Sequence, residues 1–321
     1  MAEMRRGITL RFLAEPFDAN VRGVMDAGKV LEWIDKAGYA AAVGWSGHSA
    51  VTGYVGNTHF VKPIRVGDLV VVQARVVFTG RTSMQVVCTV ASGDPRSGER
   101  TLNTQCILQF VAMQDDKPVE VPKFYPQDAW ELEQHARAVE LNAARRAIEA
   151  DMGTQIYSDE TEVCRETLRF LAAPTDVNWG GKVHGGYVMA WIDTAARIVA
   201  ERWHAGPVAS VYAGGVRFYR PMFIGDLVEV DARLIHTGNT SMHVSISVRS
   251  GDPRTRELRE TTHCTFVYCG VDSEGRKRPV PSWEPKLLGD IALDEHAKKV
   301  IELRTQLLRP LPRALPPSFE D

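Results

Sequence analysis

The sequence predicts an α+β fold that occurs twice in one chain of 321 residues. The first observation is an internal repeat. Residues 11–110 align with residues 169–268 without a gap, at a constant shift of 158 residues, and about 42 of these 100 positions are identical. The second observation is the pattern inside each repeat, in which one long apolar helix precedes valine-rich strands with hairpin-length connections. That order is typical of an antiparallel sheet wrapped around a single helix.

The composition is that of a globular protein, with 44% hydrophobic and 24% charged residues and a formal net charge of −2. This charge gives no reason to expect a nucleic acid or an anionic membrane as partner. The N-terminal residues 1–10 lack the apolar core of a secretory signal, and no apolar run reaches the ~18 residues that span a bilayer. We therefore expect a cytoplasmic protein without membrane insertion.

The first repeat predicts its elements in a clear order. Residues 8–12 alternate between apolar and polar side chains and suit an edge strand. A helix is predicted from Gly28 to Val43, with Gly44 as its stop. Runs with strand character follow at residues 58–61, 69–78, 83–91 and 101–113. Glycine-rich turns at residues 79–81 and 93–98 separate the last three runs.

Segments outside the two repeats are more polar. A proline-bearing linker at 118–126 leads into a predicted helix at 127–152, and a similar helix at 293–308 follows the second repeat. The last residues, 309–321, contain four prolines and are expected to be frayed or extended. We predict a first domain at 1–117, a linker with a polar helix at 118–160, a second domain at 161–285, and a C-terminal helix and tail at 286–321.

One stretch in each repeat carries the chemistry. Residues 176–193 place Asn178 in a polar turn, then Gly185 and Gly186, and then an apolar helix that contains Asp193. A helix that begins with glycine presents bare backbone N–H groups, which can stabilise an oxyanion. A lone acid within such an apolar helix is costly unless it has a role. The equivalent residues of the first repeat are Asn20, Gly28 and Asp35.

These motifs resemble those of the acyl-CoA thioesterases of the hotdog fold. The resemblance rests on N-x-x-G-x-V-H-G-G-x-x-M-x-x-x-D from Asn178 to Asp193, and on the following P-x-x-x-G-D-L-V and T-G-x-T-S-M blocks. It covers both repeats, and it is closest to the tandem-hotdog cytosolic acyl-CoA hydrolases and their single-hotdog bacterial relatives.

The resemblance implies a fold, a substrate and an assembly. Each repeat would be one hotdog, and the two hotdogs would pair through their sheets as a pseudo-dimer. Three such chains would form a ring, so a homotrimer is expected. The substrate would be a fatty acyl-CoA, which water cleaves without a metal or a separate cofactor, since coenzyme A is part of the substrate. Each active site would combine the asparagine loop and helix start of one hotdog with the helix carboxylate of the other.

The residue types agree with thioester hydrolysis. Asp35 or Asp193 would be the general base or would orient the water. The backbone N–H of Gly186 would be the oxyanion donor, with Gly28 as its counterpart in the first repeat. The amide of Asn178 or Asn20 would hold the water or the carbonyl group.

The two predicted sites differ in sequence. Where the second repeat has His184-Gly185, the first repeat has Asp26-Ala27. A carboxylate at the mouth of an oxyanion site opposes the developing negative charge. We therefore hypothesise that the site of Asn178 and Asp35 carries most of the turnover, and that the site of Asn20 and Asp193 is weaker or silent.

Plainer interpretations stand beside these roles. The asparagines also suit turns or helix caps, the two aspartates could be ordinary helix residues, and Gly185 and Gly186 could exist only for close packing. His184 is interpreted as a structural or substrate-lining residue, because no second ligand lies at metal-binding spacing. Two hairpins could contact the CoA phosphates or could simply be turns; their residues are Arg81, Thr82, Ser83, Asn239, Thr240 and Ser241. The five scattered cysteines are interpreted as free, with Cys106 and Cys264 in the core.

Two other functions remain as alternatives. A hotdog hydratase or dehydratase acting on enoyl-CoA or hydroxyacyl-CoA would need a histidine beside the asparagine turn, where this chain has Gly23 and Gly181. A non-catalytic acyl-CoA binding module would also fit a tandem repeat in which one loop has decayed. Release of a free thiol separates hydrolysis from both alternatives.

Overall fold

The computed structural model of the chain describes residues 6–152, 154, 160–178, 181–255 and 257–307. These residues form two compact units. The first unit contains residues 6–140 together with Thr175–Ala190, and the second contains residues 141–174 and 191–307. The sequence-based domain limits at residues 117, 160 and 285 stay a prediction.

The first unit is an antiparallel sheet that wraps one helix, α1 (Ala27–Ser46). Its strands run in the order β1-β4-β5-β6-β2, and the short β7 pairs with β6. The strands are β1 (Gly7–Leu13), β2 (Ser49–Val55), β3 (Thr58–His59), β4 (Leu69–Thr79), β5 (Ser83–Gly93), β6 (Thr101–Gln114) and β7 (Lys117–Pro118). Helix α1 packs against β1, β2, β4, β5 and β6. The predicted α+β architecture is confirmed.

Helix α1 is buried along most of its length because its sequence is apolar on nearly every side. Leu31 and Ile34 are fully buried, and so are the strand residues Val70 and Val72 of β4. The prediction that Gly44 stops the helix is wrong. The helix continues for two residues beyond it and ends at Gly47, whose φ of 71° is left-handed. Glycine adopts that conformation without steric cost, so Gly47 terminates the helix in its place.

The strand predictions agree with the structure to within a few residues, with one omission. Strand β2 (Ser49–Val55) follows the helix directly and has no counterpart among the predicted strands. Its sequence, SAVTGYV, contains a glycine and lacks a regular alternation of apolar and polar residues, so its period does not mark it as a strand. The omission matters because β2 carries a residue of the candidate site.

Helix α2 (Ala129–Met152) follows the proline-bearing linker as predicted. Ala138 on this helix forms a buried cluster with Val77 and Val87, the latter two from β4 and β5. The ring of His135 also lies 2.9 Å, measured from its Nδ1, from the backbone oxygen of Val77. The first part of α2 therefore covers the side of the sheet that bears Val77 and Val87.

The second unit repeats the same plan. Its strands run in the order β9-β12-β11-β10-β8, and β13 pairs with β12. They are β8 (Arg165–Leu171), β9 (Val208–Phe218), β10 (Leu227–Thr237), β11 (Ser241–Gly251), β12 (Arg259–Val271) and β13 (Lys277–Arg278). Helix α3 (Gly185–His204) begins with residues of the first unit and continues in the second. Helix α4 (Leu288–Leu307) packs against β10.

The cysteines are free, and the prediction of a core position for Cys106 and Cys264 is confirmed. Burial raises the pKa of Cys106 to about 12, so its thiol stays neutral. The described part of the chain contains no helix long and apolar enough to cross a membrane. The proline-rich tail at 309–321 lies outside the described residues.

Candidate active site

Asp35 is a buried carboxylate in the middle of α1, with only 1% of its surface exposed. The hydroxyl of Thr52 on β2 donates a hydrogen bond to its Oδ1 over 2.7 Å. A buried charge requires such partners, because it has lost its hydration. The contact gives Oδ1 a partner on β2 and leaves the second oxygen, Oδ2, for other partners.

The Oδ2 atom of Asp35 meets the start of α3. The backbone N–H of Gly186 donates to it over 2.9 Å, and the Nδ1 atom of His184 also lies 2.9 Å away. The same Gly186 N–H lies 3.1 Å from His184 Nδ1. The structure therefore brings together the predicted base, the predicted oxyanion donor and the histidine of the loop, all within the first unit.

The two glycines of the loop lie where α3 approaches α1 most closely. A Cβ atom on Gly185 would lie 3.1 Å from both Asp35 Oδ2 and Thr52 Oγ1. A Cβ atom on Gly186 would lie 2.9 Å from the Cα of Glu32, which is backbone and has little room to move. The interpretation of these glycines as close-packing residues and their interpretation as site residues are therefore compatible, because the packing brings the N–H to Asp35.

Asn178 lies in the loop before α3. Its Oδ1 atom accepts a hydrogen bond from the backbone N–H of Lys182 over 3.0 Å, and its backbone N–H donates to the oxygen of Lys182. Gly181, with φ of 76°, allows this tight turn. The ammonium of Lys182 pairs with Asp116 at 2.7 Å, which ties the loop to the turn between β6 and β7. The Oδ1 atom of Asn178 therefore stabilises the turn of this loop.

The equivalent loop of the first repeat is built differently. The side-chain amide of Asn20 donates to Asp26 Oδ1 over 2.8 Å, and its oxygen accepts from the N–H of Arg22. Asp26 precedes α1, and Gly28 is buried in the first turn of that helix. Asp26, which replaces His184 in the first repeat, therefore accepts a hydrogen bond from the amide of Asn20.

Asp193 belongs to the second unit, where it is 3% exposed. The phenol of Tyr268 on β12 donates a hydrogen bond to its Oδ1. The counterpart of Thr52 in this repeat is Ser210, and within the described part of the chain its hydroxyl makes no hydrogen bond. The two helix aspartates are thus held by hydroxyl groups from different strands. The prediction that Asn20 and Asp193 belong to one site stays a prediction.

The two hairpins singled out in the sequence are tight turns in their own units. The N–H of Gly80 donates to the oxygen of Ser83, and that of Gly238 to the oxygen of Ser241, each over 2.8 Å. The turn of the first unit borders a cavity of about 410 Å³. Two cations, Arg81 and Lys123, border this cavity. Its complete lining consists of Thr79, Gly80, Arg81, Glu120, Val121, Lys123, Phe124 and Tyr125. Thr82, Asn239 and Thr240 lie in the same two turns.

Thr52 and Glu32 are the residues of this site that the sequence does not predict. Thr52 lies in the strand without a regular period, and its counterpart is a different residue, Ser210. Glu32 precedes Asp35 by one helical turn and is replaced by Ala190 in the second repeat. Its apolar neighbours were the available signal, because a glutamate between Leu31 and Trp33 in a buried helix needs partners. Among the described residues, no three His, Cys, Asp or Glu side chains are placed to hold a metal ion.

Comparison with known proteins gives consistent results. The model of the thioesterase superfamily matches residues 23–99 and again residues 180–257. The acyl-CoA thioester hydrolase YciA of Salmonella typhimurium is 33% identical over 126 residues, which are 38% of this chain and 95% of that protein. The chain belongs to the thioesterase superfamily. The resemblance predicted from the motifs, including the occurrence of the hotdog fold in tandem, is confirmed.

Other relatives in the thioesterase superfamily cover different shares of the chain. The cytosolic acyl coenzyme A thioester hydrolase of Mus musculus is 26% identical over 298 residues, or 87% of this chain and 78% of that protein. Protein VdlD of Helicobacter pylori is 32% identical over 148 residues, or 46% of this chain and 84% of that protein. The first of these relatives therefore spans both repeats, whereas VdlD and YciA have the length of one.

Proposed function

We propose that this protein hydrolyses fatty acyl-CoA thioesters to the free acid and coenzyme A. Membership of the thioesterase superfamily supports the reaction type, and the names of its relatives support an acyl-CoA substrate. The observation that carries the proposal is the 2.9 Å contact between Asp35 Oδ2 and the N–H of Gly186. A base and an oxyanion donor at hydrogen-bond distance are what an attack of water on a thioester requires.

The proposed mechanism is a direct attack by water. The thioester carbonyl oxygen takes over the N–H of Gly186, which releases Asp35 Oδ2 to accept a proton from water. The hydroxide that forms attacks the carbonyl carbon, and the N–H stabilises the negative oxygen of the tetrahedral intermediate. The C–S bond then breaks, the carboxylic acid forms, and the sulfur of coenzyme A leaves with the proton that Asp35 had accepted.

Other residues of the site position these groups. Thr52 keeps Asp35 Oδ1 occupied, so that Oδ2 is the reacting oxygen. His184, in contact with Oδ2, holds the carboxylate against the start of α3. The NH₂ group of Asn178 would hold the water or the carbonyl group. Gly185 leaves the space into which Asp35 and Thr52 fit.

Coenzyme A carries phosphate groups that need cationic partners. The cavity bordered by the turn at Arg81 offers Arg81 and Lys123. Thr82 and Ser83 follow Arg81 in the chain and carry hydroxyl groups. The equivalent turn of the second unit offers Asn239, Thr240 and Ser241, without an arginine. We place the phosphate contacts of the working site at the first turn. No separate cofactor is proposed, and association into a homotrimer in the cytoplasm stays a prediction.

The two predicted sites are proposed to be unequal. In the loop of the first repeat, Asp26 binds the amide of Asn20 and adds a negative charge next to the start of α1. A substrate carbonyl would compete with that carboxylate for the amide. We therefore propose that Asp35 and Asn178 carry the turnover, and that Asp193 and Asn20 contribute little.

The test is the release of free thiol from acyl-CoAs of increasing chain length, with wild type, Asp35→Asn and Asp193→Asn compared side by side. We expect Asp35→Asn to lower kcat by at least about 100-fold, since the general base is lost. Asp193→Asn should retain most of the turnover. The reverse result would show that the working site has been misassigned. Absence of thiol release from folded wild type with every chain length would favour an acyl-CoA binding module.

A further inference from the structure

A second carboxylate lies next to the candidate oxyanion site. Glu32 is one helical turn before Asp35 on α1 and is 5% exposed. Its side chain lies along Gly186, because a Cβ atom on Gly186 would be 3.1 Å from the Cγ of Glu32. Two buried acidic side chains of α1 therefore lie near the start of α3: the carboxylate of Asp35 binds the N–H of Gly186, and the aliphatic part of Glu32 lies along Gly186.

Two lysines of α1 hold this second carboxylate. The ammonium of Lys36 lies 2.5 Å from Glu32 Oε1, and that of Lys29 lies 3.3 Å from Oε2. Lys29 is shared with Asp18, at 3.0 Å. Burial lowers the pKa of Lys29, but the hydrogen bond with Asp18 and the charges of Glu32 and Asp18 outweigh this effect and raise it, so Lys29 remains charged. Lys36 is the closer of the two lysines to Glu32.

Lys36 also reaches the first turn of α3. Its ammonium lies 5.7 Å from the centroid of the Tyr187 ring, and Tyr187 directly follows Gly186 in the chain. A cation over the face of an aromatic ring is attracted by its π-electrons. Lys36 is therefore held between Glu32 and Tyr187, on the α1 side of the helix start that supplies the candidate oxyanion donor.

The second repeat lacks this arrangement. At the positions equivalent to Lys29, Glu32 and Lys36 it has Tyr187, Ala190 and Thr194. The group of three charged residues is thus a property of the helix that carries Asp35, not of the fold. A general packing role would not require it, because α3 is a buried helix of the same length without it.

We propose that Lys36 is an electrostatic positioning residue that neutralises Glu32 beside the oxyanion site. This inference rests on the proposed function. In the transition state a negative charge develops at the N–H of Gly186, and an unpaired Glu32 would oppose it. Two like charges a few ångströms apart in a protein interior repel each other by enough to slow a reaction by an order of magnitude or more. As the closer of its two lysine partners, Lys36 reduces that repulsion by neutralising the charge on Glu32.

The experiment is a double-mutant cycle on thiol release, with wild type, Glu32→Gln, Lys36→Met and the double variant. Lys36→Met keeps the length of the side chain but removes the charge, and we expect kcat to fall about tenfold. Glu32→Gln combined with Lys36→Met removes both charges, and we expect the double variant to recover most of the lost turnover. Lys36→Arg preserves the charge and should lose little. Lys298→Met is the matched control, because Lys298 pairs with Asp294 at the same i, i+4 spacing on α4.

The outcomes distinguish this inference from the proposed function. If Lys36→Met and the double variant lose turnover equally, Lys36 acts on the substrate itself and the inference is wrong. If Lys36→Met keeps full turnover, Glu32 does not oppose the reaction and the inference is also wrong. Thermal unfolding of each variant separates loss of turnover from loss of fold. A wild type that releases no thiol would instead contradict the proposed function, because the cycle compares variants of an active enzyme.

Discussion

Thr52 is the residue on which the orientation of Asp35 depends most directly. Replacing Thr52 with Val removes the hydroxyl but keeps the shape of the side chain. The buried Oδ1 of Asp35 then loses its 2.7 Å donor, and the carboxylate is held only through the contacts of Oδ2 with Gly186 and His184. We expect kcat for thiol release to fall by roughly ten- to a hundredfold, with a smaller change in KM, because an interaction that positions the base acts in the transition state.

The second repeat offers a control for this prediction. Ser210 occupies the equivalent position, and its hydroxyl makes no hydrogen bond within the described residues. Ser210→Ala should therefore leave thiol release unchanged. If Thr52→Val and Ser210→Ala lower the rate of thiol release equally, the hydroxyl at this position stabilises the strand and does not orient the carboxylate.

At the scale of single residues, the resemblance to hotdog thioesterases implied that Asp35 meets the start of α3, but nothing in the sequence indicated the surroundings of this contact. The repeat made Asp35 and Gly186 recognisable, because each occurs in a motif that is present twice. Thr52, Glu32 and Lys36 are found only in the first repeat, because the second has Ser210, Ala190 and Thr194 at these positions. Their roles depend on the close approach of Gly186 to α1, a distance that no local pattern of residues encodes.

At the scale of single elements, two glycines near the end of α1 have different conformational roles. Gly44 is exposed inside the helix, and Gly47 adopts φ of 71° at its C-terminal cap. We expect Gly44→Ala to stabilise the protein by about 0.5–1 kcal/mol, because alanine restricts the unfolded chain and favours the helix. Gly47→Ala should destabilise it by about 1 kcal/mol, since a Cβ atom is strained in the left-handed region.

Urea unfolding of the two alanine variants measures this difference. Gly47→Ala has no steric clash to complicate its interpretation, because nothing lies within 4 Å of the position of its Cβ atom. A stabilising effect of Gly47→Ala would contradict the assignment of the helix end.

The helices and long strands were predictable from the sequence because their apolar patterns are long and occur twice. Strand β2 was not, since its seven residues include Gly53 and lack a regular period. Such a strand is determined by its partners in the sheet: it pairs with β6 from Ser49 to Val55. The exact end of α1 was also not predictable, because an exposed glycine within a helix costs only about 1 kcal/mol and does not stop it.

At the scale of the whole molecule, the two units are predicted to differ in their response to acid. The second unit has His243 and His263 buried on β11 and β12, where the first unit has Gln85 and Gln105. Burial, with the charges of Arg304 and His236, lowers the pKa of His243 to about 3. Burial, with the charge of His296, lowers the pKa of His263 to about 4. Both imidazoles are therefore neutral in the folded protein at neutral pH.

These pKa values predict a loss of stability in acid. Below pH 6.5 the unfolded chain binds protons at both imidazoles, whereas the folded chain does not until the pH falls to between about 4 and 3. Stability is thus fully present above pH 6.5 and falls as the pH is lowered, by on the order of 2 kcal/mol per histidine at pH 4.5. Replacing both residues with Gln, as in the first repeat, should reduce this fall.

Urea unfolding at pH 7 and at pH 4.5 tests the prediction, with wild type compared with the variant that carries both His243→Gln and His263→Gln. The difference between the two pH values should be smaller in the variant. An identical pH dependence in the two proteins would show that the buried imidazoles do not titrate on unfolding as inferred.

The 151-residue separation between Asp35 and Gly186 has a consequence for the gene. Relatives such as YciA have the length of one repeat, but this chain assembles its candidate site from both. A premature stop codon between the repeats would leave Asp35 and Thr52 in the product and remove the loop that meets them. The two repeats have diverged around this site: the first has Asp26 and Thr52 where the second has His184 and Ser210. Deleting either repeat would therefore remove a different part of the same candidate site.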